Sequence, residues 1–376
     1  MTAGAAALLL AQVSLGVEHL HFRTAETDLN RDNVLGLSEG ANLLRGTASV
    51  RESRGAARVV FRGVAERRFG FGEDETELAL REAYLQVGGV AGFVRGGRQR
   101  VTWGSGFAWN PTNRLEPPKN PLHTGLEQKG VLAVRGDWSP TKVATVTLVA
   151  ARVETRPGDL PIALTSAKKN GGAARLALLV ANTDVAAVVS VREERSPLFG
   201  LDVARGLQGG LTAHLEAALY RGSELGPSRD ETFVRLAAGA LYTRGESALA
   251  LEYFHNGEGY GDRERAAWLA ALKAAPAVSL AYLAAAATPY SGLGLGRDYV
   301  HASWTRSVAN GRWGLSMRAV ASVTDGGVTL TPGVSYAPSG RVTVNADGLL
   351  PLGPADSEYR LAPVRGGLVT RVKVSY

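Results

Sequence analysis

The chain of 376 residues has no cysteine and only 2 methionines. Without thiols there is no disulfide framework, no thiolate metal site and no cysteine nucleophile. That composition suits an oxidising envelope compartment, where a stray thiol is a liability. Also missing is any run of about 18 uncharged apolar residues, so no helical membrane span is expected. A mean hydropathy of −0.03 is too polar for a bundle of lipid-embedded helices. No Gly-x-Ser-x-Gly, His-Glu-x-x-His or phosphate-loop motif occurs, and the six histidines (19, 21, 123, 214, 255 and 301) are dispersed. The chain is therefore read as a non-enzyme that needs no cofactor and no metal. The net charge of +7 comes from scattered basic residues rather than a Lys/Arg run, so nucleic acid is not an expected partner.

What is present is alternation. Gly 46 and Pro 16 provide for many tight turns, and between them apolar and polar residues take turns with a period of two. At the C-terminus Leu368, Thr370, Val372, Val374 and Tyr376 share one face, while Val369, Arg371, Lys373 and Ser375 share the other. The same split recurs at Leu315-Met317-Ala319-Ala321-Val323 and at Val328-Leu330-Pro332-Val334-Tyr336. One face suits lipid and the other water. This is the signature of a transmembrane antiparallel up-and-down β-barrel, the all-β fold expected here.

Strands are predicted near 14–23, 41–52, 56–65, 77–87, 91–102, 131–138, 142–152, 173–182, 185–193, 199–206, 210–220, 232–242, 247–256, 298–307, 312–323, 327–336, 340–350 and 364–376. That makes about 18 strands. Residues 257–297 are taken as a long, partly helical loop, and reading them as a hairpin instead would give 20. Short turns are expected at Gly88-Gly89, Ser139-Pro140, Asn182-Thr183, Gln208-Gly209, Arg244-Gly245, Ala309-Asn310 and Pro338-Ser339. The longer connections fall in the alternate slots, as extracellular loops facing short periplasmic turns would. Residues 14–376 thus form one barrel, whereas 1–13 read as a signal-peptide remnant or a periplasmic lead-in. Residues 3–11 are apolar like a signal core, yet no basic residue precedes them.

Aromatic placement points the same way. Trp138, Tyr242, Trp304, Trp313, Tyr336 and Tyr376 all fall on the presumed lipid face at the short-turn end, the level of a membrane girdle. Expected partners are outer-membrane lipid and lipopolysaccharide, the barrel-assembly machinery through the C-terminal strand, and small solutes. Ala-rich outer faces leave the oligomeric state open.

The most distinctive segment is 97–120, GRQRVTWGSGFAWNPTNRLEPPKN, preceded by Arg81-Glu82-Ala83-Tyr84-Leu85. The succession REAYL, GRQ, WG and NP resembles that of outer-membrane porin families related to the alginate-export and carbohydrate-selective barrels, over roughly residues 76–120. That resemblance implies a bacterial outer-membrane channel. A Pro/Gly-containing loop at 103–130 is well placed to fold into the lumen, which a barrel of this size otherwise leaves wide. The candidates for that constriction are Arg98, Arg100, Trp103, Trp109, Asn110, Asn113 and Arg114, against the plainer reading of a loop that seals its own strand ends.

Lumen-facing charges on this register are Arg58, Arg62, Glu82, Arg135, Arg235, Glu252, Arg318, Arg341, Arg371 and Lys373, joined by Arg175, Arg192, Arg365, Asp137, Asp202, Glu216 and Asp347. Arginines hold carboxylates or phosphates through paired donors, so their excess favours anionic solutes, unless each pairs with a neighbouring acid. Asp28, Asn30, Asp32 and Glu39 occupy calcium-loop spacings, but their flanks read as strands and a polar surface loop is the simpler account. The reading is a passive porin for small polar or anionic solutes. The alternatives are a closed barrel acting as receptor, adhesin or scaffold, and a polysaccharide-export channel.

Overall fold

The structure is a computed structural model that describes residues 8–33, 39–69, 75–123, 128–155, 167–223, 230–276, 279, 282–283, 286 and 294–376. Its strands are β1 (Leu8–Thr24), β2 (Gly40–Arg54), β3 (Ala57–Phe69), β4 (Glu75–Gly89), β5 (Gly92–Gln99) and β6 (Val131–Thr141). They continue as β7 (Ala144–Thr155), β8 (Ala167–Val180), β9 (Thr183–Arg192), β10 (Arg195–Gly206), β11 (Leu211–Arg221) and β12 (Thr232–Arg244). The last are β13 (Ser247–Asn256), β14 (Asp298–Val308), β15 (Trp313–Ser322), β16 (Val328–Tyr336), β17 (Val342–Leu352) and β18 (Val364–Ser375). Helices α1 (Asp262–Ala274) and α2 (Glu358–Leu361) sit in long connections.

All neighbours pair antiparallel in one 18-stranded sheet, and β1 bonds to both β2 and β18. The sheet is therefore closed, which leaves no edge for another chain to extend. At the seam the Tyr376 N–H donates to the Val13 carbonyl at 2.8 Å. The predicted 18-strand barrel is the observed one, and no helix among the described residues is long and apolar enough to cross a membrane.

The alternation in sequence becomes an inside and an outside. In β13, Leu249 and Leu251 are half exposed on the outer face while Ala250, Glu252 and Phe254 are buried within. In β11, Leu215 and Leu219 face out, and His214, Glu216, Ala218 and Tyr220 face in. Hydrophobic side chains left exposed over most of the strands make sense only against an apolar solvent.

Several boundaries move. β1 begins at Leu8, so residues 8–13, expected ahead of the barrel, lie in its first strand. The turn expected at Ser139-Pro140 lies later, at 142–143. Pro140 is absorbed into β6 where the ladder slips between Trp138 and Thr141, since an irregularity is where a residue without an N–H fits. At 181–182 and 309–310 both central residues have positive φ (47° and 61°; 53° and 57°), the geometry of a two-residue hairpin matched to strand twist. The connections 193–194 and 323–327 are short although they lie on the long-loop side.

Residues 257–297 carry α1 and no hairpin among the described residues. Its C-terminal turn is docked by the 28–33 segment. Arg31 donates to the Leu272, Ala275 and Lys273 carbonyls at 2.8, 2.6 and 3.3 Å and lies 4.6 Å from the Tyr282 ring centroid. Leu29, Trp268, Leu272, Tyr282, Leu295 and Leu361 bury one another beside it. The calcium-loop residues are used differently from that expectation. Asp28 pairs with Lys273 at 3.5 Å, Asn30 is buried and bonds Asn33, Asp32 takes a positive φ, and the Glu39 carbonyl caps Phe22. The described residues hold no His/Cys/Asp/Glu group that could bind a metal ion.

Candidate functional site: a loop clamped inside the barrel

Leaving β5, the chain turns into the lumen. Val101, Trp103 and Leu115 bury themselves against Val131, Ala133, Val149, Ala151, Val153 and Val188, the inner faces of β6, β7 and β9. Farther along, Trp109 stacks on Phe254 of β13 with ring centroids 4.9 Å apart and planes within 9°. Ala108, Ala237, Tyr299 and Val320 close the same cluster. At its far end the Leu122 carbonyl accepts from Arg318 of β15 at 2.8 Å. The loop therefore lines the inside from β6 round to β15, and the inner wall of β16–β18 and β1–β5 is left to face the lumen.

Apolar contact alone would strand this segment's backbone. Its N–H groups lack a ladder partner, and a buried unpaired N–H costs about 1–3 kcal/mol. Carboxylates on the wall answer them. Glu252 accepts from the N–H groups of Phe107, Ala108 and Trp109, the last two at 3.0 Å, and from His214 Nε2 at 3.0 Å. Glu216 accepts from Thr112 N at 2.8 Å, Thr112 Oγ1 at 2.6 Å and Gly106 N at 3.3 Å. Asp202 accepts from the Ser105 hydroxyl. Asp202 and Glu216 are direct cross-strand partners, and Glu252 stands opposite His301. Both glutamates are fully buried. Their desolvation, several kcal/mol for each ion, is offset by these donors.

The sequence of the loop fits the clamp. Gly104 has φ +88°, and a Cβ there would lie 2.5 Å from a Glu216 oxygen. Asn110 donates to the Trp103 carbonyl at 2.5 Å and Asn113 to the Val101 carbonyl at 2.9 Å, holding the turn shut from within. Lys119 donates to the Gly106 carbonyl at 2.5 Å, and burial pulls its ammonium below the usual lysine range.

The expected constriction residues divide accordingly. Trp103 and Trp109 are apolar anchors, and Asn110 and Asn113 brace the loop. Arg100 forms an ion pair with buried Glu116 at 2.7 Å. Arg114 is buried, donates to the Ser196 carbonyl at 2.6 Å and lies over Tyr220. Arg114, Lys119, Arg192 and Arg235 line a cleft of about 60 Å³ beside the loop, where Lys119 bonds the loop backbone, Arg114 ties the loop to the Ser196 carbonyl and Arg235 bonds Glu258. Arg98 is a correction. Its direct partner Leu132 is half exposed on the outer face, so opposite side chains place Arg98 outside as well, where it donates to the Gly130 carbonyl at 2.7 Å.

Many wall charges are paired. Arg135 meets Asp137 at 2.6 Å, Arg371 meets Glu18 at 2.8 Å, and Arg235 bonds Glu258, which also accepts from Tyr220 and Ser223. Arg62 stands directly opposite Glu82 on the inner face, and Arg58 opposite Gln86. Lys373 is exposed inside near the seam, opposite Gly16 and Thr343. Arg341 is another correction, since it lies exposed in the turn before β17 rather than on a strand wall. The six aromatics expected at one level lie at the short-turn end. Trp138, Tyr242, Trp313 and Tyr376 are exposed, Trp304 is paired with Met317 on the outer face, and Trp313 packs on Tyr336 at 4.4 Å.

Sequence reasoning did not find the clamp. Asp202, Glu216 and Glu252 were legible as inward acids, but not as acceptors for a loop more than 90 residues earlier. The available signal was indirect, a Gly-rich loop whose donors needed acceptors.

No family model matches the chain, and no curated protein matches it. Solved structures do match. The chain is similar to Pseudomonas aeruginosa OccK5 (OpdH), with 9% identity, TM-score 0.60, and 98% of this chain and 97% of that chain covered. It is similar to Acinetobacter baumannii OccAB1, with 9% identity, TM-score 0.60 and coverage of 98% and 96%. It is also similar to P. aeruginosa OccK2 (OpdF) in complex with glucuronate, with 12% identity, TM-score 0.57 and coverage of 98% and 97%. These neighbours are outer-membrane porins of the OprD/Occ group. At such identities the likeness is one of fold, and it bears out the expected closed 18-strand barrel.

Proposed function

We propose that the chain is a bacterial outer-membrane porin for passive diffusion of small polar or anionic solutes. The observation that carries this reading is the loop fixed by wall carboxylates along half of the inner surface. A barrel built only to be closed needs no such device, whereas a channel needs its bore narrowed and charged. The inner wall of β16–β18 and β1–β5 bears Arg45, Arg51, Arg58, Arg62, Arg68, Arg95, Arg371 and Lys373 against Glu18, Glu66, Glu75, Glu77, Glu82 and Asp347. The excess of cations favours anions.

In this reading the exposed aliphatic residues face lipid, the aromatic residues at the short-turn end form the girdle, and the long connections face outward to lipopolysaccharide. The strand ending at Tyr376 is what the assembly machinery engages. The protein works without catalysis, cofactor or nucleotide. Planar-bilayer recording tests it. Steady conductance with a reversal potential on the anion-selective side is expected across a salt gradient, and pure folded protein that conducts nothing overturns the reading.

A further inference from the structure

At the mouth, on the side of the long connections, lies a second polar recess of about 320 Å³. That is within the size range of small-molecule sites, unlike the cleft behind the loop. It is built where residues 26–31 and 355–365 meet above β1 and β18, over the half of the lumen that the clamped loop leaves uncovered. Arg31, Arg360 and Arg365 line it with Thr27, Glu26 and Asp28. The two acids are engaged elsewhere, Asp28 by Lys273 at 3.5 Å and Glu26 by the Asp32 N–H at 3.3 Å. The donors are not fully used. Among the described residues, Thr27 Oγ1, Arg31 Nε and Arg360 Nε are buried without a hydrogen-bond partner.

A buried donor without a partner carries a desolvation cost that an incoming acceptor would relieve. The guanidinium groups are also held in place. Arg31 is fixed by the carbonyls of α1, and Arg365 donates to the Arg360 carbonyl at 3.0 Å. Donors fixed in advance lose little freedom when a ligand arrives.

We propose that this recess binds a compact oxyanion, carboxylate or phosphate, which a solute presents before it passes the clamped loop. The proposal rests on the channel reading for its role, but not for its chemistry. The oxyanion would accept from the guanidinium groups of Arg360 and Arg365 that line the recess, with the fixed charge of Arg31 behind them.

The test uses the full-length barrel in neutral detergent with inorganic phosphate as probe, followed by calorimetry. Saturable binding is expected, weakened about tenfold in Arg360→Gln and again in Arg365→Gln, and unchanged in Lys142→Gln at the opposite rim. A heat-dependent gel shift confirms that each variant is folded. Absent binding, or equal binding in all variants, overturns the site. Displacement of phosphate by purified lipopolysaccharide would assign the recess to a lipid headgroup and overturn its role as a solute station. In bilayers, phosphate added on the long-loop side should reduce the current, and phosphate on the other side should do so less. Binding without conductance would leave the site and remove the channel reading, and conductance indifferent to phosphate would do the reverse.

Discussion

Glu252 is the residue on which most of the loop depends. Its carboxylate answers three consecutive N–H groups and His214. Replacement by Ala strands those donors at about 1–3 kcal/mol each. Because 1.4 kcal/mol is about a tenfold change in an equilibrium, Glu252→Ala should make excursions of the loop from the wall at least tenfold more frequent. Single-channel records would then show a noisier, larger current, and an unaltered trace would contradict the clamp. Trp109→Ala removes the stacked anchor on Phe254, a truncation that costs about 3–5 kcal/mol in a core, and should act in the same direction. Glu358 allows a pH test outside the membrane. It lies buried in α2, and burial lifts its carboxyl to about 7 from 4.5, although Tyr299 and the Leu295 N–H both donate to it. The docked mouth therefore keeps a proton that an undocked loop would release. Docking is strongest below about pH 4.5 and weakens as pH rises towards 7. Trp268, buried in the adjoining cluster, should report this in its fluorescence, and Glu358→Gln should flatten the profile.

At the scale of elements, the strands were legible because each carries its own instruction. Alternation in β15 or β18 assigns two faces without reference to any other part of the chain. The turns at 181–182 and 309–310 are equally local. The loop was only half legible. Its Pro/Gly content and position marked it as a pore element, but the partners that seat it stand on β10, β11 and β13, and no local pattern encodes a contact at that separation. The side that Arg98 faces stays open in the sequence because it depends on the register between β5 and β6, which Gly96 and Gly97 leave unmarked. The Asp/Asn spacing at 28–33 looked like ligand geometry and serves instead to dock α1. That assignment predicts that Arg31→Ala frees the C-terminal turn of α1 from three carbonyl contacts. Protease cleavage near 273–276 should then accelerate about tenfold or more relative to the parent, with the strand core untouched.

For the whole molecule, closure is the decisive property. β1 and β18 complete a ring in which each strand's donors are answered by its neighbours, the only way a sheet dispenses with edges in lipid. Deleting 364–376 should abolish the folded band that resists detergent on unheated gels, rather than merely lower its melting point, because two bare edges replace one seam. An unheated band of unchanged mobility would contradict that.

The clamp also fixes an order of events in time. The loop at 104–112 can be seated only once β10, β11 and β13, which carry its acceptors, stand in the wall. Until then its amides have only water, so it cannot seed the barrel and must be among the last parts to settle. A cell making this protein therefore faces an interval in which the cylinder is curling but its bore is still unobstructed, and the throat is set only when the later wall swings in beneath it.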